Sequence, residues 1–194
     1  MKKIVLATNN QGKVRELSQM LKNKPIDVVS QAEFNVSSVP ETGLTFVENA
    51  IIKARHAALH TNLTALADDS GIEVDALRGE PGIYSARYAG ENATDSDNLN
   101  KMLTALKDVP EHQRTARFRC VLVEMSHEKD PSPRIYQGTW EGRIQLNPQG
   151  DNGFGYDPIF FVAEYGCTSA ELAPEIKNQL SHRGNALRLW LKDL

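Results

Sequence analysis

Residues 2–30 read KKIVLATNNQGKVRELSQMLKNKPIDVVS. The run Ile4-Val5-Leu6-Ala7 is apolar, β-branched at its start, and gives way to the turn-prone NNQG of residues 9–12. That pattern predicts a buried strand running into a loop. Over residues 13–23, Val14, Leu17, Met20 and Leu21 share one helical face, and Pro25 stops the helix. IDVVS, residues 26–30, reads as a second strand. Strand, tight loop, helix, strand is the order of a parallel βαβ crossover, and it points to an α/β fold.

Working outward, TFVENAIIKARHAALH (45–60) predicts a helix, with Thr45 and Glu48 in a capping-box spacing and Phe46, Ala50, Ile51, Ala54 and Ala58 on one face. TALAD (64–68) reads as a buried strand and IEVDA (72–76) as a half-exposed one, with 78–94 a surface loop. A helix follows over 95–110, spaced by Leu99, Met102, Leu103 and Leu106. Residues 115–127 and 134–146 alternate and are joined by EKDPSP, which predicts an antiparallel hairpin. A glycine-rich loop (147–158) and the strand IFFV (159–162) come next. The carboxy-terminal third reads as helical, interrupted by Pro174, with Ser181 as N-cap of 182–194. Repeats, low-complexity tracts and linkers are absent, so the expectation is a single α/β domain over 1–194 with a mixed β-sheet.

The chain has 194 residues, 40% hydrophobic and 24% charged, enough for one domain with its own core. A net charge of −3 gives no general attraction to nucleic acid or to an anionic membrane, so neither is expected as a partner. Cys120 and Cys167 fit no metal-ligand spacing and no disulfide framework. IVLA is too short for a signal-peptide core, and nothing approaches the ~20 apolar residues of a membrane span. A reduced, cytoplasmic protein is the expectation.

Four stretches carry candidate chemistry. TNNQGK (Thr8, Asn9, Asn10, Gln11, Gly12, Lys13) lies between strand and helix and offers N–H groups, amides, a glycine and a lysine near a helix start, a set able to hold phosphate oxygens. It also suits an ordinary capped turn. ADDSG (67–71) holds two adjacent carboxylates. On a strand, Asp68 and Asp69 face opposite ways, so one faces the site and the other supports it. Glu41 is a third acid, just before the helix that carries Lys53; oxygen ligands with water completing the shell are what Mg2+ accepts. Asp, Ser and Gly equally favour a plain turn. GFGYDP (153–158) could stack an aromatic ring on a nucleobase or tuck Phe154 and Tyr156 into the core. SHRG (181–184), with Lys177 before it, is a basic group in which Arg183 could donate to a keto oxygen or phosphate, or a solvated helix start. Together they supply what a nucleoside triphosphate needs.

In the order TNNQGK, ETGLTFVENA, KA, ADDSG, PGIYSARYAG, FGYDP, K, SHRG, the chain resembles the noncanonical purine nucleoside triphosphate pyrophosphatases, the inosine triphosphatase-like or dITP/XTP pyrophosphatases, in their bacterial branch. The resemblance covers about residues 4–190. It implies an elongated mixed β-sheet with flanking helices, two lobes around a substrate cleft, and a homodimer. It implies Mg2+-dependent hydrolysis of ITP, dITP and XTP to monophosphate and pyrophosphate, which cleanses the nucleotide pool of deaminated purines. By the same resemblance Thr8 to Lys13 match the triphosphate loop, Glu41 and Asp69 the metal positions, and Asp69 also the proton acceptor, with Asp68 supporting. Lys53 and Ser70 match substrate contacts; Phe154, Gly155, Tyr156, Asp157, Lys177, His182 and Arg183 match the positions that hold base and phosphates. Asn9 stands where the family often has glycine, and its tolerance of positive φ is expected to preserve the loop. Lysines and a metal beside Asp69 are expected to lower its pKa, making it an orienting acceptor more than a strong base.

Overall fold

Asn10 decides where the first helix begins. In a computed structural model that describes residues 2–22 and 24–194, its side-chain oxygen accepts the Lys13 N–H at 3.1 Å, so α1 runs Gln11–Leu21. The helix therefore opens two residues before the expected 13, and position 23 of that expectation lies outside the described residues. β1 (Lys2–Leu6) and β2 (Ile26–Ser30) flank α1 in sequence and pair in parallel, Ile4 against Val28 and Leu6 against Ser30. α2 (Phe46–Thr61) starts at the Thr45 cap, whose hydroxyl accepts the Glu48 N–H at 3.2 Å, and ends at Asn62 in the left-handed region.

β3 (Thr64–Val74) is where structure and expectation part. The two strands predicted at 64–68 and 72–76 are one strand, and ADDSG lies within it, not in a turn. α3 (Asp95–Leu106) follows, then β4 (Thr115–Met125) and β5 (Arg134–Ile144), joined by residues 126–133, too short a link for a parallel crossover. β6 (Phe160–Val162), β7 (Cys167–Thr168), α4 (Pro174–Leu180) and α5 (His182–Lys192) complete the chain. Pro174 opens α4 and does not interrupt a helix, since proline at the first helical position leaves no N–H unpaired. The seven strands lie in the order β2-β1-β3-β4-β5-β6-β7, parallel at β2-β1-β3 and antiparallel at β5-β6-β7. The fold is thus a mixed α/β sheet with flanking helices. Among the described residues no helix is long and apolar enough to cross a membrane.

The chain forms two compact units, and both draw on β3, β4 and β5. The first comprises the chain up to Asp69, Cys120–Gly138 and Ala186–Leu194. Its sheet is buried on both faces with a period of two. Ile4, Leu6, Leu66 and Leu122 meet Leu17 and Leu21 of α1 and Leu187 and Trp190 of α5. Val5, Ala65, Ala67, Val121 and Val123 meet the alanine face of α2.

The second unit, Ser70–Arg119 with Thr139–Asn185, packs Ile72, Val74, Phe118, Trp140 and Phe160 against Met102 and Leu106 of α3. Outside that core, Asp75 accepts from Arg117 at 2.8 Å and from Thr115 at 2.6 Å. Those bonds, Arg117 first, hold its carboxyl down at about 2. A carboxyl depressed in the folded state stabilises above its unfolded value of about 3.9 and ceases to as pH falls toward 2. Asp75→Asn is therefore expected to cost roughly 0.5–1 kcal/mol at neutral pH, a modest figure because the pair is half in solvent. Urea unfolding as a function of pH should show the gap to wild type constant above about pH 5 and shrinking progressively as pH falls to about 2 and below.

Candidate active site

The acidic group of the first unit is built on consecutive residues of β3. Alternation sends Asp68 to the α1 side and Asp69 to the α2 side. Lys13, in the first turn of α1, meets Asp68 at 3.2 Å, and Asp68's side chain is fully buried. Lys53, on α2, meets Asp69 at 2.7 Å and Glu41 at 2.8 Å through the same ammonium. Three carboxylates thus share two lysines, and Asp69 Oδ2 is buried with no hydrogen-bond partner among the described residues. Burial works against the Lys53 ammonium, yet Asp69, Asp68 and Glu41 together raise its pKa above the ordinary lysine value.

Asp69 is set by two opposed influences. Burial pushes its carboxyl up, with Glu41 adding to the effect, and this outweighs the pull of Lys53 and Lys13. A divalent cation beside this carboxyl would act in the opposite direction, with the lysines.

The loop before α1 is as expected in its donors. Thr8 Oγ1 accepts the Asn10 N–H at 3.2 Å, and the first-turn N–H groups of Gln11 and Gly12 precede any intrahelical acceptor. Asn9 is not among the residues with positive φ, so it does not stand in for a glycine conformation. Its amide is used instead, donating to Ser38 Oγ at 2.8 Å and tying the loop to the segment that leads to Glu41.

The second unit gathers Ser70, Phe154, Asp157, Lys177 and Arg183. Asp157 is 3% exposed and accepts Lys177 Nζ at 2.6 Å, Ser169 Oγ at 2.7 Å and the Phe154 N–H at 2.8 Å. Gly153 has φ +81°, and a Cβ there would sit 2.0 Å from Asp157 Oδ2, so only glycine lets the loop close on that carboxylate. Phe154 is half-buried, with Lys177 Nζ 5.4 Å and Arg183 Cζ 6.0 Å from its ring centre. Arg183 is 2% exposed and donates to Ser70 Oγ at 3.0 Å.

Two predicted contacts sit in the core. Tyr156 is buried and its hydroxyl donates to the Ser85 carbonyl at 2.8 Å. His182 is buried with its ring stacked on Phe118, 4.8 Å between centres. Ser169 and Asp95, whose carboxylate accepts the Gly155 N–H at 2.8 Å, were missed. Neither stands in a pattern that a local reading picks out.

An ion is testable against this donor set. Among the described residues no three His, Cys, Asp or Glu side chains converge to hold a metal by themselves. Mg2+ needs no such cage, because it takes one or two carboxylates and fills its shell with phosphate and water oxygens. The half-buried Glu41 and the Asp69 carboxylate, brought together on the Lys53 ammonium, fit that requirement.

A model of the Ham1 family matches residues 4–193. Over 188 residues the chain is 68% identical to a dITP/XTP pyrophosphatase of Vibrio vulnificus, covering 97% of this chain and 94% of that protein. It is 59% identical over 194 residues to a dITP/XTP pyrophosphatase of Escherichia coli O157:H7, covering 100% and 98%. Among solved structures, a HAM1 protein from Coxiella burnetii superposes with a TM-score of 0.92 at 50% identity over the whole of both chains. A dITP/XTP pyrophosphatase from Mycobacterium abscessus does so at 0.77 and 42%, covering 97% and 98%.

Proposed function

The chain belongs to the Ham1 family, and from that premise we propose that it hydrolyses noncanonical purine nucleoside triphosphates, dITP, ITP and XTP, to monophosphate and pyrophosphate. In this reading residues 1–194 act as one domain, as a homodimer in the cytoplasm, and remove deaminated purines from the nucleotide pool. The carrying observation is the buried, unpaired Oδ2 of Asp69, held by the Lys53 contact to its other oxygen.

The assigned chemistry is attack of water on the α phosphorus. The bond from that phosphorus to the bridging oxygen breaks, pyrophosphate leaves, and the proton of the water passes to Asp69 Oδ2. Lys53 fixes the Asp69 carboxylate in place and Asp68 fixes Lys13. Thr8 to Gly12 and Lys13 are assigned to the phosphates, where N–H groups at a helix start and a point charge suit oxyanions. Glu41 and Asp69 would hold Mg2+, which supplies charge neutralisation on the phosphates and the leaving group.

Base recognition is assigned to the second group. Phe154 supplies a stacking face, Ser70, Lys177 and Arg183 supply polar contacts, and Gly155, Tyr156, Asp157 and His182 hold these in position through the loop and its packing. Hypoxanthine and xanthine carry an acceptor oxygen at C6, where adenine carries a donor, so an arginine accepts the first two and opposes the third.

Pyrophosphate and orthophosphate release from ITP, XTP, dITP, GTP and ATP, with and without Mg2+, tests the reading. Mg2+-dependent pyrophosphate from ITP, dITP and XTP, with little from ATP or GTP, is the expected result. Orthophosphate without pyrophosphate would place the cleavage at the wrong bond, and no release from any of them would overturn the reading.

A further inference from the structure

The motif PGIYSARYAG, residues 81–90, has no part in the chemistry above. β1 accompanies β3 only as far as Leu66, so further along the strand its backbone groups need other partners. The chain supplies them by turning back on itself. Val74 N–H donates to the Glu80 carbonyl at 3.2 Å, Glu73 bridges to Pro81, and Ile72 N–H donates to Ser85 Oγ at 2.9 Å. The Ser85 hydroxyl donates onward to the Gly82 carbonyl at 2.6 Å, and the Ser85 carbonyl accepts the Tyr156 hydroxyl at 2.8 Å. Ser85 is 7% exposed, and its bonds to the Ile72 N–H and to the Tyr156 hydroxyl are made away from water.

Gly71 shows how closely the parts approach. A Cβ at that position would lie 2.2 Å from the Gly82 carbonyl oxygen and 2.6 Å from Ser85 Oγ, which leaves room for glycine alone. The last residue of ADDSG is therefore shaped by Ser85 and its turn.

We propose that Ser85 is a positioning residue for base recognition. Its hydroxyl fixes the part of β3 that carries Ser70, and its carbonyl fixes the GFGYDP loop that carries Phe154. Arg183 touches both of those residues, donating to Ser70 and facing the Phe154 ring. Ser85 thus ties together the two segments that Arg183 also joins. The inference rests on the functional reading above.

The experiment measures kcat and KM on ITP and ATP for wild type, Tyr156→Phe and Ser85→Ala, with thermal unfolding alongside. Tyr156→Phe removes only the link to the Ser85 carbonyl. It is expected to raise KM for ITP about tenfold, to leave kcat within about threefold, and to narrow the ITP-over-ATP preference about tenfold. Ser85→Ala should act in the same direction and more strongly. Unchanged KM and preference in Tyr156→Phe, with only a lower melting temperature, would overturn the inference, and that variant decides the matter if Ser85→Ala does not fold. A wild-type protein that releases no pyrophosphate from ITP would instead overturn the functional reading, and the role given to Ser85 with it.

Discussion

Asp69→Asn is expected to lower kcat on ITP by about 10²–10⁴-fold while KM stays within a few-fold and the fold persists. The substitution keeps the shape of the side chain, so an asparagine oxygen still faces Lys53. What it removes is the second carboxylate oxygen, which is buried and free of partners. An amide cannot take a proton at that atom, and no other described carboxylate has the same combination. Asp68 is turned to the opposite face and paired with Lys13, and Glu41 shares Lys53 from the loop side. Near-normal turnover in a folded Asp69→Asn variant would remove the acceptor role. A fall confined to KM would make Asp69 a binding group only.

The start of the chain was legible because its signals are local. Apolar spacing, Asn10 as a cap and Pro25 as a stop suffice to place β1, α1 and β2 within two residues. β3 defeated the same reading at residues whose conformation is decided from a distance. Asp68, Asp69, Ser70 and Gly71 favour turns taken singly, yet they lie in a strand. Lys13 and Lys53 neutralise the two carboxylates from opposite faces, and the Ser85 turn requires a glycine at 71. Alternation did assign the two aspartates to different tasks. The direction of the Asp69 pKa could not be read, because it depends on how deeply the fold buries the group relative to its lysines.

The group proposed for base recognition was legible as parts and not as a pairing. Asp157 and Lys177 were each marked, but nothing in a separation of twenty residues announces a 2.6 Å contact between them. That contact carries the second large effect. Asp157→Ala takes from the Lys177 ammonium, the Ser169 hydroxyl and the Phe154 N–H the buried acceptor that they share. Breaking a buried ion pair from one side costs up to about 3–5 kcal/mol, because the remaining charge loses its carboxylate partner while still largely buried. For a chain of this length that is a fall in melting temperature of roughly 6–20 °C. The double variant Asp157→Leu with Lys177→Met is expected to recover part of the stability, since an apolar pair replaces the ions at little net cost while the Ser169 hydroxyl and the Phe154 N–H still lack the carboxylate. It should not recover the ITP-over-ATP preference, because Phe154 loses the acceptor that holds its backbone. Recovery of both would mean that the pair serves the core alone, whereas recovery of stability without preference separates what the pair does for the fold from what it does for the base.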